Sequence, residues 1–452
     1  MVKNEEKSSP RQFLGFPHLV NVVLEIPSNF AFQSEVMFFH RRMLFISVLL
    51  AHMFVCSMLH AQVLTAEDSL YSGLISKEQA TLISGYGEAK YSLDTRRRDA
   101  EASLSRLVLF VGHKFNHKIS LFTELEIEDA LVVGQAGDES GIAKGGISME
   151  QAFLKFNLTP TTYIVGGLFI PRLGIINENH LPTTFNGVDR PVLEELVIPS
   201  TWREIGAGIY GGIPAVPGLN YSFSVTNGLN SSKFGNGSGI RGGRQLGSAA
   251  SGMGLAVSGS LLYYLSNFRF QVSGYMGGST GVEKRVADSL HLNSGAFGNP
   301  VFLTEANAQY HHAGWSLKAI GALVKIPDAS NINLAYANNT PSTVYGAYGE
   351  AAYNLLYTKF GDKKGLIVFG RYEYMDLNAK IPANGIRNDA NRQHYIIGGI
   401  TYKPIRGIAV KADYVRRITG EPNPALIITP FPQVIPYYTH NGFVNLGLAY
   451  NF

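Results

Sequence analysis

Cysteine is almost absent. The chain has one, Cys56, so it can form no internal disulfide and no cysteine-based zinc site. Charge is scarce as well: Asp, Glu, Lys and Arg make up 16% of residues, against about 25% in soluble globular domains. The signs nearly balance, 38 basic against 34 acidic for a net +4, too little to mark a nucleic-acid surface. Long apolar runs are missing except for one, Met43 to Met58, so no later segment can cross a membrane as a helix. What is abundant is glycine (49), phenylalanine (26) and tyrosine (23), in a chain that is 45% hydrophobic. That balance excludes disorder and coiled coil. It fits a β-sheet with one wet face and one greasy face.

The apolar run follows His40, Arg41 and Arg42 and is followed by the small residue Ala61. A basic stretch, an apolar stretch and a small residue make a secretory signal peptide. We place it at 37–61, with the mature chain starting at Gln62. Residues 1–36 carry glutamates and prolines unsuited to such a signal and read as a mis-assigned extension upstream of the true start. Val55 stands where a lipidated Cys56 would need a small residue. Residues 62–81 form a short periplasmic segment in this reading, and 82–452 the folded body.

That body shows alternating apolar and polar residues over about ten positions at a time, the length of a membrane-crossing β-strand. The last segment is the clearest: Val444, Leu446, Leu448, Tyr450 and Phe452 share one parity, and Asn445, Gly447, Ala449 and Asn451 the other. Sixteen such segments are expected, near 82–91, 104–114, 118–128, 149–159, 162–170, 204–212, 219–228, 253–265, 267–278, 302–312, 314–325, 345–358, 365–375, 393–403, 407–417 and 441–452. Their connections alternate. Asn116-His117, Pro160-Thr161, Ser266-Asn267, Ala313-Gly314 and Pro404-Ile405-Arg406 mark short turns. Long polar loops lie near 129–148, 171–203, 229–252, 279–301, 326–344, 376–392 and 418–440. Short turns on one side and long loops on the other are the rhythm of an outer-membrane barrel. Only closure satisfies every backbone group in lipid. The expected fold is therefore all-β, a transmembrane antiparallel barrel of sixteen strands. Tyr263, Tyr264, Phe268, Tyr372, Tyr374, Tyr395, Tyr402, Tyr437, Tyr438 and Tyr450 crowd the strand ends and are expected to form girdles at the headgroups.

Sixteen strands enclose a bore too wide for side chains to fill, so something must narrow it. The candidate is the stretch PRLGIINENHLPTTFNGVDRPVLEELVIPSTW, Pro171 to Trp202. It carries four prolines and an apolar content that a loop in free solvent has little reason to hold. It is expected to fold into the lumen and pack on the wall. Its charges Arg172, Asp189, Arg190, Glu194 and Glu195, with Arg203 just beyond, are the expected constriction, and His180 adds a titratable group. By strand parity Arg106, Glu124, Glu126, Lys155, Arg371 and Lys411 line the wall. So do Arg269, Lys318, Glu88, Glu128, Glu350, Glu373 and Asp413, which leaves basic and acidic wall residues close to balance. The charges of the inward loop would either face the solute path or pair to hold the loop on the wall.

The block Gly166 to Gly211, GGLFIPRLGIINENHLPTTFNGVDRPVLEELVIPSTWREIGAGIYG, resembles the corresponding segment of the phosphate-selective porin O/P family. Phe452 matches the carboxyl-terminal aromatic assembly signal of outer-membrane barrels. The resemblance implies a sixteen-stranded, general or anion-preferring porin, often a homotrimer, with the third long loop turned inward.

The reading is a passive channel in the cell outer membrane for small hydrophilic solutes or ions. Its expected partners are outer-membrane lipid, lipopolysaccharide and the barrel assembly machinery, with no nucleic acid. No cofactor or metal is expected and no catalytic constellation stands out. His311 and His312 are neighbours on a strand and point to opposite faces. Arg96-Arg97-Arg98 would meet lipopolysaccharide or simply solvate the first outer loop. The rival readings are a non-conducting structural or adhesive barrel, an outer-membrane enzyme, and a plugged transporter for apolar solutes.

Overall fold

The computed structural model describes residues 80–129, 146–279, 298–426 and 437–452. The expected extension, signal peptide and nearly all of the 62–81 segment lie outside these. No described helix is long and apolar enough to cross a membrane.

Sixteen antiparallel strands form one closed barrel. They are β1 (Thr81–Asp94), β2 (Asp99–Lys114), β3 (Ile119–Glu128), β4 (Gly146–Asn157), β5 (Thr162–Phe169), β6 (Glu204–Gly212), β7 (Leu219–Asn227) and β8 (Leu255–Leu265). The second half is β9 (Phe268–Ser279), β10 (Asn299–His312), β11 (Trp315–Lys325), β12 (Thr343–Asn354), β13 (Gly365–Lys380), β14 (Arg392–Ile405), β15 (Ile408–Thr419) and β16 (His440–Asn451). Each strand pairs with its sequence neighbours, and β1 closes on β16, Tyr86 facing Asn451 and Asp94 facing Phe443.

The period of two sets the two faces. On β16, Val444, Leu446 and Leu448 are exposed while Asn445 and Ala449 are buried. The same holds around the ring: Leu261, Val272, Ile396 and Val410 point outward, and polar residues such as Ser224, Ser260, Gln271 and Asn307 are buried on the other face. A closed barrel with an apolar outer belt meets lipid with no unpaired edge, which identifies an outer-membrane β-barrel.

The turns follow local chemistry. Ala313 and Gly314 take φ of 51° and 85°, the left-handed pair that a two-residue hairpin needs. Asn116 accepts from the backbone N–H groups of Lys118 and Ile119, closing the β2–β3 turn.

Several sequence expectations need correction. The β1–β2 connection is a tight turn, not a loop: Asp94 accepts from the N–H groups of Arg96 and Arg97. Arg96 then lies over the Tyr438 ring at 4.6 Å and donates to the His440 carbonyl, so it is engaged locally. β12 ends at Asn354, and the expected strand tail at 355–358 leads into a one-turn helix, Tyr357–Phe360. β13 runs on to Lys380, shortening the expected loop at 376–392. Tyr395 belongs to no girdle, because its parity turns it inward, where it is buried and donates to Gln393.

Candidate functional site

The connection between β5 and β6 holds a single helical turn, Leu193–Leu196. The rest is irregular, yet most of its residues are buried. Several of its backbone groups bond to the barrel wall. Gly174 donates to Glu305 on β10, Leu193 to Glu373 on β13, and Val188 to Asp413 on β15. Side chains add to this: Asn186 donates to Glu350 on β12, and Thr183 donates to Asn451 on β16. Wall cations cap loop carbonyls, Arg371 that of Asn186 and Lys411 that of Gly187. These partners sit on strands as far apart in the closed order as β16 and β10.

Apolar contacts fix the same segment. Leu173, Ile175, Leu193, Leu196, Val197, Ile198 and Trp202 join wall residues such as Tyr275, Leu303 and Val344 in one buried cluster. Two inward-facing glycines provide sockets. A Cβ at Gly346 would lie 2.5 Å from a Leu193 methyl, and one at Gly447 3.1 Å from a Val188 methyl. These positions hold glycine because the loop occupies the space a side chain would need.

The charges expected at a constriction are distributed unequally. Glu194 is buried, accepting from the N–H groups of Ile175 and Ile176 and from the Tyr348 hydroxyl. Arg203 is buried too, 3.6 Å from Glu126 and bonded to Ser148. Arg172 lies over the Tyr210 ring, donates to the Tyr163 hydroxyl and approaches Glu178. Glu195 pairs with Arg241 at 2.8 Å, both partly exposed. Asp189 is exposed and pairs with Lys90. Arg190 is half-buried and reaches Ser200 at 3.4 Å. Burial, with Arg241 and Arg203 nearby, pulls the Arg244 guanidinium beside this loop down to about 10. The expected wall residues divide likewise. Arg106 pairs with Glu88, Arg371 with Glu350 and Glu373, Lys411 stacks on Phe185 at 4.0 Å, and Lys155 on Tyr163 at 3.9 Å.

At the end of the barrel that carries the short turns lies a cavity of about 420 Å³. Arg269, Lys318, Lys363, Lys364, Lys403 and Arg406 line it, with Asp362 as its one carboxylate besides the loop and wall amides and hydroxyls. Among the described residues Lys363, Lys364, Lys403 and Arg406 make no ion pair. Strand parity alone missed most of these cations, because Lys363, Lys364 and Arg406 sit in turns, where no alternation exists to read.

A second corner of the bore was also missed. Parity counted from the inward Lys155 turns Glu150 outward, whereas in the structure Ile147 and Met149 face outward and Glu150 inward. The β3–β4 register shifts at Glu124/Leu125, so Glu150 is the extra residue of a bulge. The bulge buries Glu150 and Gln151 together, and a one-residue insertion re-aims a side chain in this way. Glu150 then meets Tyr86, which donates to it at 2.9 Å, and His180 from the loop at 3.8 Å.

An Aquifex aeolicus (strain VF5) protein described only as uncharacterized is 33% identical to this chain over 350 residues, 74% of the chain and 75% of that protein. The chain belongs to that protein's family. No family model matches the sequence. The solved structure of Salmonella typhi OmpF in complex with daunomycin aligns with a TM-score of 0.51 at 13% identity, over 82% of this chain and 97% of OmpF. An anion-selective porin from Comamonas acidovorans aligns at 0.49 and 12% identity, over 82% and 99% of the two chains. The likeness to OmpF is one of fold: this chain has a porin-like barrel of the outer membrane.

Proposed function

We propose that the chain is a passive outer-membrane channel for small hydrophilic solutes that prefers anions, with Pro171–Trp202 as its constriction loop. The observation that supports this most is the cavity of about 420 Å³ at the short-turn end, with six cationic side chains against one carboxylate. Field lines in a narrow channel follow the charges that are not neutralised by neighbours. The wall's acidic residues are largely engaged with the loop and with arginines, whereas Lys363, Lys364, Lys403 and Arg406 are left to act on solutes. The resemblance of Gly166–Gly211 to the phosphate-selective porin O/P family supports the same sign and adds assembly as a homotrimer. Export through the 37–61 signal peptide, insertion by the barrel assembly machinery through Phe452, and contact with lipopolysaccharide complete the reading.

The test is a planar bilayer with a potassium chloride gradient. The purified barrel should insert in discrete conductance steps, with a reversal potential on the anion side. Arg190→Glu should move that potential toward cations without unfolding the barrel. A barrel that inserts but conducts nothing would replace the channel by a structural role. A cation-side potential would overturn the anion preference.

A further inference from the structure

We propose that Glu124, Glu150 and His180 form a binding site for a divalent transition-metal ion, zinc or one of its neighbours, that fastens the β5–β6 loop to the β3–β4 wall. Among the described residues these three are the group whose ligand atoms converge, all lying within 4.8 Å of one another. His180 Nε2 stands 3.8 Å from Glu124 Oε2 and 3.8 Å from Glu150 Oε1. Zinc binds imidazole nitrogen and carboxylate oxygen at about 2.0–2.2 Å, which puts neighbouring ligands roughly 3.4 Å apart. A small inward movement of the carboxylates meets that spacing. One nitrogen and two carboxylates suit zinc or manganese better than calcium, which takes six to eight oxygens.

The second observation is Glu150 itself. Its side chain is fully buried, Oε1 has no hydrogen-bond partner, and His180 is its one ion-pair partner among the described residues. A buried carboxylate oxygen left without a donor is costly. A cation held between it and the imidazole removes that cost. The surroundings are those of a prepared ligand set. Tyr86 donates to Glu150 Oε2, leaving Oε1 aimed at the cluster. Gln151 donates to Glu124 at 2.8 Å, and the Tyr86 ring stands edge-on to His180, centroids 5.9 Å apart. Such outer contacts orient metal ligands. Glu124 and Gln151 also line a small cavity of about 50 Å³ beside the cluster. The β4 bulge brings Glu150 inward beside Gln151.

This proposal does not depend on the channel reading. It is tested by zinc titration of the full-length refolded barrel in detergent, followed by calorimetry. The wild type should bind one tight equivalent. Glu150→Gln and His180→Ala should each weaken it at least tenfold. Undiminished binding in both variants would place the zinc on surface histidines and overturn the site, as would a wild type that binds none. Should either variant fail to give the heat-modifiable form, X-ray absorption of wild type loaded with one zinc decides. A single imidazole among oxygen ligands is expected, and none, or two or more, overturns the proposal.

Discussion

The bore contains two charged regions that a sequence count would treat alike. In the corner at β1–β4, Glu88, Glu124, Glu126 and Glu150 lie among Arg106, Arg203 and His180, nearly all buried and in contact with one another. At the short-turn end, Lys363, Lys364 and Arg406 are exposed to the cavity they line. The first region is dry and its charges act on protein. The second is wet and its charges are free to act on what passes. Net charge along the wall is therefore a poor guide to selectivity, because a buried, paired carboxylate is spent on structure.

The largest effect should come from shortening the loop. Removing 178–196 takes away the tethers to Glu350, Asp413 and Glu373 and should raise single-channel conductance several-fold; an unchanged conductance would place the loop outside the solute path. Next is a direct contest between the two regions. Replacing Lys363, Lys364 and Arg406 by glutamate should carry the reversal potential to the cation side, while Glu126→Gln in the dry corner should leave its sign unchanged. If the corner variant shifts selectivity as much as the other, the contrast fails.

A smaller effect is expected where the loop is held. Glu194→Ala strips acceptors from two backbone N–H groups and one hydroxyl, each costing about 1–3 kcal/mol when left buried. The Ile175 and Ile176 amides should then exchange with solvent far faster, with the strands still protected. Gly346→Val forces a methyl into Leu193 and should cost about 1–3 kcal/mol as an overpacked contact, seen as a lower denaturation midpoint. Least affected should be Arg387→Ala. Arg387 pairs with Asp389 and Asp376 but is largely open to solvent, so its loss should cost under about 1 kcal/mol, a thermal shift near the limit of detection.

The strands were legible because a barrel writes its two faces into the sequence residue by residue. Val444, Leu446 and Leu448 alternate with Asn445, Gly447 and Ala449 for one reason, lipid on one side and loop or water on the other. Turn chemistry at Asn116 and Ala313-Gly314 was equally local. What parity could not reach was any place where the alternation breaks. The bulge at Glu150 shifts the count by one, and the turn lysines belong to no alternation. The partners of Glu194 and Arg203 depend on where an irregular loop lands, which no period encodes. The glycines at 346 and 447 read as generic small residues until Leu193 and Val188 were seen beside them.

The seam between β1 and β16 bears on how the molecule comes to exist. Gly85 and Phe452 exchange backbone hydrogen bonds, 3.2 Å and 2.9 Å, and the Ser84 hydroxyl also donates to the Phe452 carbonyl. The first strand is thus joined to a residue at the far end of the barrel's last strand. Every other strand pairs with a sequence neighbour and could zip in order, but this junction spans the whole body and has the greatest loop-closure entropy against it. Until it forms, two strand edges expose unpaired amides and carbonyls that lipid cannot satisfy. Ring closure is therefore the expected slow step of assembly. It cannot begin before β16 is available, so the strands before it must be kept from misfolding until then.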